Sequence, residues 1–405
     1  MRRICLLLLL FALSIGTWAQ RTVVSGIVTN SQTGRPIAGA NVAVVGGTTT
    51  VVTNDDGFFT LKFNETANAI RVSHLGFQTS TQHLPANTQQ PLSIALKPAV
   101  IMLQEIVVTK DNARSIVEAA ISKIPDNYSK QPEILEGFYR ETAMKRQHFI
   151  YIAEGVIDMY KTSYNRSVHQ DRVAIRKGRR LMSPRQGDTL GVKVMGGPVQ
   201  PIQLDIVKNR DFLLNNEELD HYHFSFDKQE KIDGRQQFVV RLEPRGEWEY
   251  ALYHGHLYID CETLAFTRAD LSLDMSDREK ATRLMLIRKP SGVRFRPKEL
   301  STLIDYRQED GVTRVSYIRN VFRFNCDWKR RLFATSFAAT CEMVVTNRHS
   351  NDARPIKGRE SFDSRDMFYD KVEYFKDPAF WEDYNIIEPT ESLDKAVNRL
   401  LKRMK

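Results

Sequence analysis

Two histidine pairs are the clearest candidates for metal chemistry in this chain: His221 and His223 in "HYHF", and His254 and His256 in "HGHL". On a β-strand a step of two residues puts both side chains on one face. A pair of imidazoles so placed can hold zinc, which lowers the pKa of bound water and makes a hydrolytic nucleophile. That chemistry defines one reading, a metal-dependent hydrolase. The surrounding residues argue against it. Tyr222, Phe224 and Phe226, and Leu257 and Ile259, form the apolar complement of each strand, so the histidines face water. The run 235–243 reads as a strand between the pairs, separating them by two strand spacings, roughly 9–10 Å. One tetrahedral zinc cannot span that distance. No metal and no cofactor are therefore expected, with His221, His223, His254 and His256 the only ligands to consider.

Other catalytic patterns are missing. None of the nine histidines is followed by glutamate three residues later, and HExxH does not occur. There is no Gly-x-Ser-x-Gly elbow and no phosphate-cradling Gly-x-x-x-x-Gly-Lys-Ser/Thr. "GVKVMGGP", from Gly191 to Pro198, is glycine-rich but reads as a loop. No catalytic residue is assigned, and a non-enzymatic protein is expected. Asp188-Thr189-Leu190 resembles the O-glycosylation sequon of Bacteroidota.

The opening "MRRICLLLLLFALSIGTWAQ" has a basic start at Arg2 and Arg3, an apolar run and a small-residue edge at Ala19. That is the layout of a secretory signal peptide over 1–19. Cys5 precedes the apolar run, so no cysteine stands where a lipoprotein would carry its lipid. Export to the periplasm or to the outer-membrane surface is expected. Cys261, Cys326 and Cys341 allow at most one internal disulfide, and their positions suit buried free thiols, with any pairing left open. The formal charge is +9, concentrated in residues 140–195, where twelve Lys/Arg meet five Asp/Glu and "IRKGRR" runs from Ile175 to Arg180. An exported protein does not ordinarily meet nucleic acid, so none is expected. A solvated basic face or an anionic envelope surface or glycan fits better.

The elements that would position any site are mostly strands. Residues 22–97 alternate short β-branched runs with turn chemistry such as "NDDG", Asn54 to Gly57, and no helical period appears. A small antiparallel sandwich is expected. The order "VSGIVTNSQTGRPIAGANVAV…NDDGFFTL…IRVSHLGFQT…LSIALKP" resembles the carboxypeptidase-regulatory-like domain, a transthyretin-like sandwich common in envelope proteins of Bacteroidota. The resemblance implies no catalytic residues in this domain. Next, "LQEIVVTK", Leu103 to Lys110, resembles the segment that follows this domain in TonB-dependent transporters. Only 295 residues follow Lys110, too few for a plug and a barrel of about 22 strands. A transporter is therefore not expected, while an adaptor contacting a TonB-type receptor stays open.

After a linker at 98–110, residues 111–405 read as one larger unit. Residues 111–124 form an amphipathic helix capped by Asp111 or Asn112 and stopped by Pro125. Long strands follow, with hairpin turns at Asp233-Gly234, near Cys261-Glu262 and at Asp310-Gly311. Such a meander must twist and curl. The helix at 111–124 and the C-terminal helices are the candidates to plug its hollow, and whether it is filled or open to a ligand stays undecided by sequence. The stretch "GHLYIDCETLAFTRADL" resembles the hairpin of LolA-like lipoprotein carriers, and the whole arrangement resembles Bacteroidota proteins that end in motifs like "FWEDYNIIEP", Phe380 to Pro389. The C-terminal "TESLDKAVNRLLKRMK" is an amphipathic basic helix, suited to its own sheet or to peripheral contact with a membrane surface. The sequence thus specifies a mainly β protein, a transthyretin-like sandwich followed by a curled, half-barrel-like antiparallel sheet with a few helices. Its expected role is non-catalytic binding or scaffolding in the envelope, with a lipid, glycan or envelope protein as partner.

Overall fold

A computed structural model describes residues 21–85, 88, 90–99, 113–185, 188, 192–194, 196–329, 333–349, 353–374 and 380–404. The signal segment with Cys5, the stretch Leu103–Lys110, the cap candidates Asp111 and Asn112, and Thr189-Leu190 of the sequon lie outside the described residues.

The N-terminal unit holds β1 (Thr22–Asn30), β2 (Asn41–Val44), β3 (Thr50–Val52), β4 (Phe58–Phe63), β5 (Ala69–Ser73), β6 (Ser80–His83) and β7 (Leu92–Leu96). They form two sheets, β4-β1-β7 and β3-β2-β5-β6. Alternation along β1 and β4 sends Val24, Val28, Phe59 and Leu61 inward, where Ile70, Val72, Ile94 and Leu96 meet them. At the expected turn, Asn54 Oδ1 accepts from the amides of Asp56 and Phe58. Gly57 there has φ 79°, and a Cβ on it would lie 2.6 Å from the Val28 carbonyl oxygen. One pairing departs from an all-antiparallel sandwich: β1 and β7 run parallel. Between β4 and β7 the chain adds β5 and β6 to the other sheet and re-enters beside β1 by a crossover rather than a hairpin.

The larger unit begins with α1 (Ala113–Ser122) and α2 (Ile124–Asn127). Pro125 does not end the helical segment. It occupies the first turn of α2, where its missing N–H costs nothing. The strands are β8 (Glu133–Lys145), β9 (His148–Lys161), β10 (Arg172–Met182), β11 (Lys193–Val194), β12 (Tyr222–Phe226), β13 (Glu230–Ile232), β14 (Arg235–Pro244), β15 (Tyr253–Asp260), β16 (Phe266–Leu273), β17 (Leu286–Arg288), β18 (Val293–Glu309), β19 (Val312–Trp328), β20 (Thr335–His349) and β21 (Glu373–Tyr374). Among them stand α3 (Gln200–Leu204), α4 (Asn216–Leu219) and α5 (Arg278–Met285), and α6 (Glu391–Met404) ends the chain. Twelve strands form one open sheet in the order β12-β14-β15-β16-β18-β19-β20-β8-β9-β10-β21, with β13 beside β14. The expected turns at Asp233 and Asp310 carry φ 49° and 50°, each followed by a left-handed glycine. Bulges in the β9–β10, β18–β19 and β20–β8 pairings add twist.

The two faces of this sheet have different covers. On one, α1, α2, α3 and the 206–219 segment pack against Tyr139, Ile157, Leu257, Ile259, Leu271 and Met343. The helix, one candidate for the plug, is therefore on this face. On the other, Phe138, Val156, Tyr317 and Val344 meet Val52 of the sandwich and Trp381, Ile386 and Ile387 of the tail. The tail, the other candidate for that role, is not on the helix-covered face. It straps the sandwich to the opposite one. Asn385 bonds Lys62 reciprocally, accepting from its amide and donating to its carbonyl, both at 2.8 Å. Leu393, Ala396 and Leu400 of α6 are buried beside Ile152 and Leu181. That apolar side is occupied, so only the polar side of α6 is left to meet a membrane surface. No helix among the described residues is long and apolar enough to cross a membrane.

Candidate functional site

The helix-covered face is not packed from end to end. One core cluster reaches Cys341 and Phe368, another begins at Ala143, Ile150 and Ala339, and Tyr151 packs against both. At that seam lies a cavity of about 510 Å³. Its walls come from β8, β9 and β20 through Ala143, Ile150 and Ala339, from Val192 and Val194, and from Met367 and Phe368. Lys193, Arg288 and Lys289 also line it, with Arg288 and Lys289 exposed.

Glu141 projects into this cavity because it shares the face of Tyr139 and Ala143 on β8. Its carboxylate accepts from Tyr139 Oη at 2.8 Å, Tyr151 Oη at 2.8 Å and the Gly197 amide at 2.7 Å. Gly197 can aim its N–H this way because it adopts φ 93°, a conformation glycine takes at no steric cost. Burial raises the Glu141 pKa above the ordinary carboxylate range, outweighing the three hydrogen bonds that favour the ionised form. Burial also drives the Tyr139 and Tyr151 phenols and the Cys341 thiol well upward, and all three remain protonated. Phe368 reaches this wall because Gly155 and Gly178 pair across β9 and β10. A Cβ on Gly155 would come within 2.9 Å of Phe368, and one on Gly178 within 2.3 Å of Val372. The arrangement offers apolar walls, three cations and three acids, Glu141 within the cavity and Asp188 and Asp366 partly exposed. A lining of this mixed kind can hold a small ligand.

The histidines do not meet. β14 lies between β12 and β15, as the sequence implied. His223 and His254 are exposed, while His256 Nε2 pairs with Asp227 at 3.0 Å. His221 precedes β12 and stacks on Trp248, with ring centroids 3.6 Å apart. Among the described residues no three His, Cys, Asp or Glu side chains gather as metal ligands would. The cysteines are free: Cys326 and Cys341 are buried and Cys261 partly so. Their thiols are pushed up by burial, Cys261 to about 11 and Cys326 to about 12.

The "IRKGRR" run is strand β10, and its cations are largely engaged within the protein. Arg176 pairs with Asp158 and Glu136. Lys177 Nζ sits 4.2 Å from the Phe380 ring centroid, Arg179 bonds buried Glu154 at 2.9 Å, and Arg180 bonds the Tyr369 carbonyl. A smaller cavity of about 440 Å³ separates the sandwich from the sheet. Its Arg71, Arg235 and Arg268 are already paired with Asp233, Asp260 and Asp305. Sequence reasoning missed Glu141. A charged residue on the apolar face of a strand was its only signal, and nothing local distinguishes that from an exposed position.

Residues 24–108 match the CarboxypepD_reg-like domain family. Over 96 residues in that region the chain is 42% identical to the TonB-dependent receptor SusC of Bacteroides thetaiotaomicron. The alignment covers 24% of this chain and 9% of the receptor, so the chain spans a small part of the length of that curated relative. Among solved structures, a DUF1329 family protein from Desulfovibrio piger is 11% identical at TM-score 0.24, covering 59% of this chain and 93% of its own. A LolA superfamily protein from Nitrosomonas europaea is 13% identical at TM-score 0.20, covering 63% and 99%. Lipovitellin is 9% identical at TM-score 0.28, covering 62% and 29%. Likenesses at these scores say nothing about a ligand. Residues 24–108 are thus a CarboxypepD_reg-like domain, as their motifs implied.

Proposed function

We propose that this protein is a non-catalytic, exported component of the cell envelope that binds an amphiphile on the helix-covered face of its large sheet. One observation carries the reading: the seam cavity of about 510 Å³ between two core clusters. Its size falls in the range of small-molecule sites, which are largely apolar with a few polar groups. An acyl chain matches walls such as Ile150, Val192 and Phe368, and an anionic head group matches Lys193, Arg288 and Lys289. Export is supported by the leader-like residues 1–19, and envelope residence by the N-terminal likeness to a TonB-dependent receptor.

Native mass spectrometry of protein purified from envelope extract tests the reading. A bound lipid is expected, its removal lowering the melting temperature and added palmitate or phosphatidylglycerol restoring it. Arg288→Glu with Lys193→Glu should weaken that restoration. Ligand-free protein with no thermal shift from either lipid would leave a purely structural role. The metal-hydrolase reading makes a different demand, one equivalent of zinc per chain that disappears in His254→Ala/His256→Ala.

A further inference from the structure

A second cavity, of about 690 Å³, lies on the same side of the large unit beyond Phe362. It is lined by α3, by the 209–212 segment, by Tyr250 and Tyr253, and by Asp171. Three features define what it fits. First, three of its four acidic side chains already have partners, and the fourth, Asp211, is exposed to solvent. Asp171 stands 3.7 Å from both Lys161 and Lys208, Glu218 accepts from Tyr250 Oη, and Asp363 pairs with Arg365. The lining therefore makes no strong demand for a cationic ligand, and its carboxylates disfavour an anionic one.

Second, it holds an unsatisfied donor. Gln200 is 3% exposed, and its Nε2 has no hydrogen-bond partner among the described residues. Asp171 is engaged within the protein: its Oδ1 accepts from the Thr162 amide and hydroxyl, and Lys161 Nζ stands 3.7 Å from its Oδ2. An unpaired buried polar group destabilises the fold that buries it. The terminal torsion of a glutamine is broad, so a small rotation turns the amide toward a ligand. A hydroxyl is a neutral group that can accept from this amide. Third, aromatic rings face the same space. Phe212 and Tyr253 pack with centroids 5.0 Å apart, and Tyr250 is 40% exposed. Flat apolar rings beside a hydroxyl-matching amide complement a pyranose, which has C–H faces and a hydroxyl rim.

We propose that this cavity binds a neutral sugar residue, free or at the end of a glycan. The full-length mature protein is titrated with glucose, galactose, mannose and N-acetylglucosamine disaccharides, and with the octyl glycosides of the same sugars, following saturation-transfer NMR and calorimetry. At least one probe should bind. Gln200→Leu should weaken it at least tenfold, and Tyr250→Ala, at an exposed position that folding tolerates, should weaken it severalfold. Arg323→Ala, at an exposed residue elsewhere on the sheet, should bind as the parent does. Binding of disaccharides assigns a free saccharide. Binding of glycosides alone, still sensitive to Gln200 and Tyr250, assigns a sugar carried on an apolar group. Absence of binding at about 10 mM for every probe, or binding that survives both substitutions, overturns the proposal.

Discussion

Replacing Glu154 by glutamine should loosen the strap that holds the sandwich on the sheet. Glu154 lies on β9 with its side chain 5% exposed, and Arg140 beside it is 4% exposed. The carboxylate accepts from Arg140 at 2.8 Å, Arg179 at 2.9 Å and Trp381 Nε1 at 3.2 Å. Arg140 in turn donates to the Ile387 carbonyl at 2.6 Å. One carboxylate thus bridges two guanidinium groups and the Trp381 indole of the tail. Glutamine keeps the shape and can still accept, but Arg140 is left buried without a countercharge. Breaking a buried ion pair from one side costs about 3–5 kcal/mol, and the surviving hydrogen bond puts Glu154→Gln near the lower end. Urea unfolding at neutral pH should report that loss. Hydrogen exchange should locate it, with faster exchange over residues 380–391. The pH dependence supplies a second check. Burial pushes the Glu154 pKa up, but Arg140 and Arg179 outweigh it and hold it below the ordinary glutamate value. The folded pKa therefore lies below the unfolded one. The stabilisation is complete above the ordinary range near about 4.3 and is lost as pH falls toward the folded value. Glu154→Gln should lack that loss. A destabilisation below about 1 kcal/mol with unchanged exchange at 380–391 would refute the reasoning.

Other outcomes follow from the same geometry. Glu141 has a raised folded pKa, so its native state keeps a proton to higher pH and loses stability relative to the unfolded chain as pH rises from about 4.3 to the folded value. Glu141→Gln should flatten that part of a melting-temperature profile taken from pH 4 to 7. Gly178→Ala places a Cβ 2.3 Å from Val372 Cγ1 and should cost about 1–3 kcal/mol by overpacking, read by chemical denaturation. A fragment of residues 21–97 should fold alone with a β circular-dichroism spectrum, because its core from Val24 to Leu96 is drawn from its own strands. Asn385→Ala in the full chain removes two bonds to the Lys62 backbone and should cost about 1–3 kcal/mol, with faster exchange over β4.

Much of the local architecture is written in local physics. Period-two alternation and the Asn-Asp-Asp-Gly and Asp-Gly turns define the sandwich strands and the long hairpins, because turn geometry and side-chain parity act over a few residues. The same parity argument turned His223 and His254 toward solvent and placed β14 between the histidine pairs, as the structure has them. What sequence alone did not decide was which faces meet. The apolar stripe of α6 is equally suited to either side of a curved sheet, and only tertiary packing sets it against Ile152 and Leu181. The β8–β9 hairpin comes first in the large unit yet pairs with β20, nearly two hundred residues later, a closure that leaves no local trace. β10 looks like a basic patch because its countercharges, Asp158, Glu136 and Glu154, sit on neighbouring strands. The seam cavity with Glu141 is likewise a gap between packed clusters. Its existence depends on volumes contributed by β8, β9, β20 and the 362–369 segment together, and close packing is a property of the assembled interior, with no counterpart in any one stretch of chain.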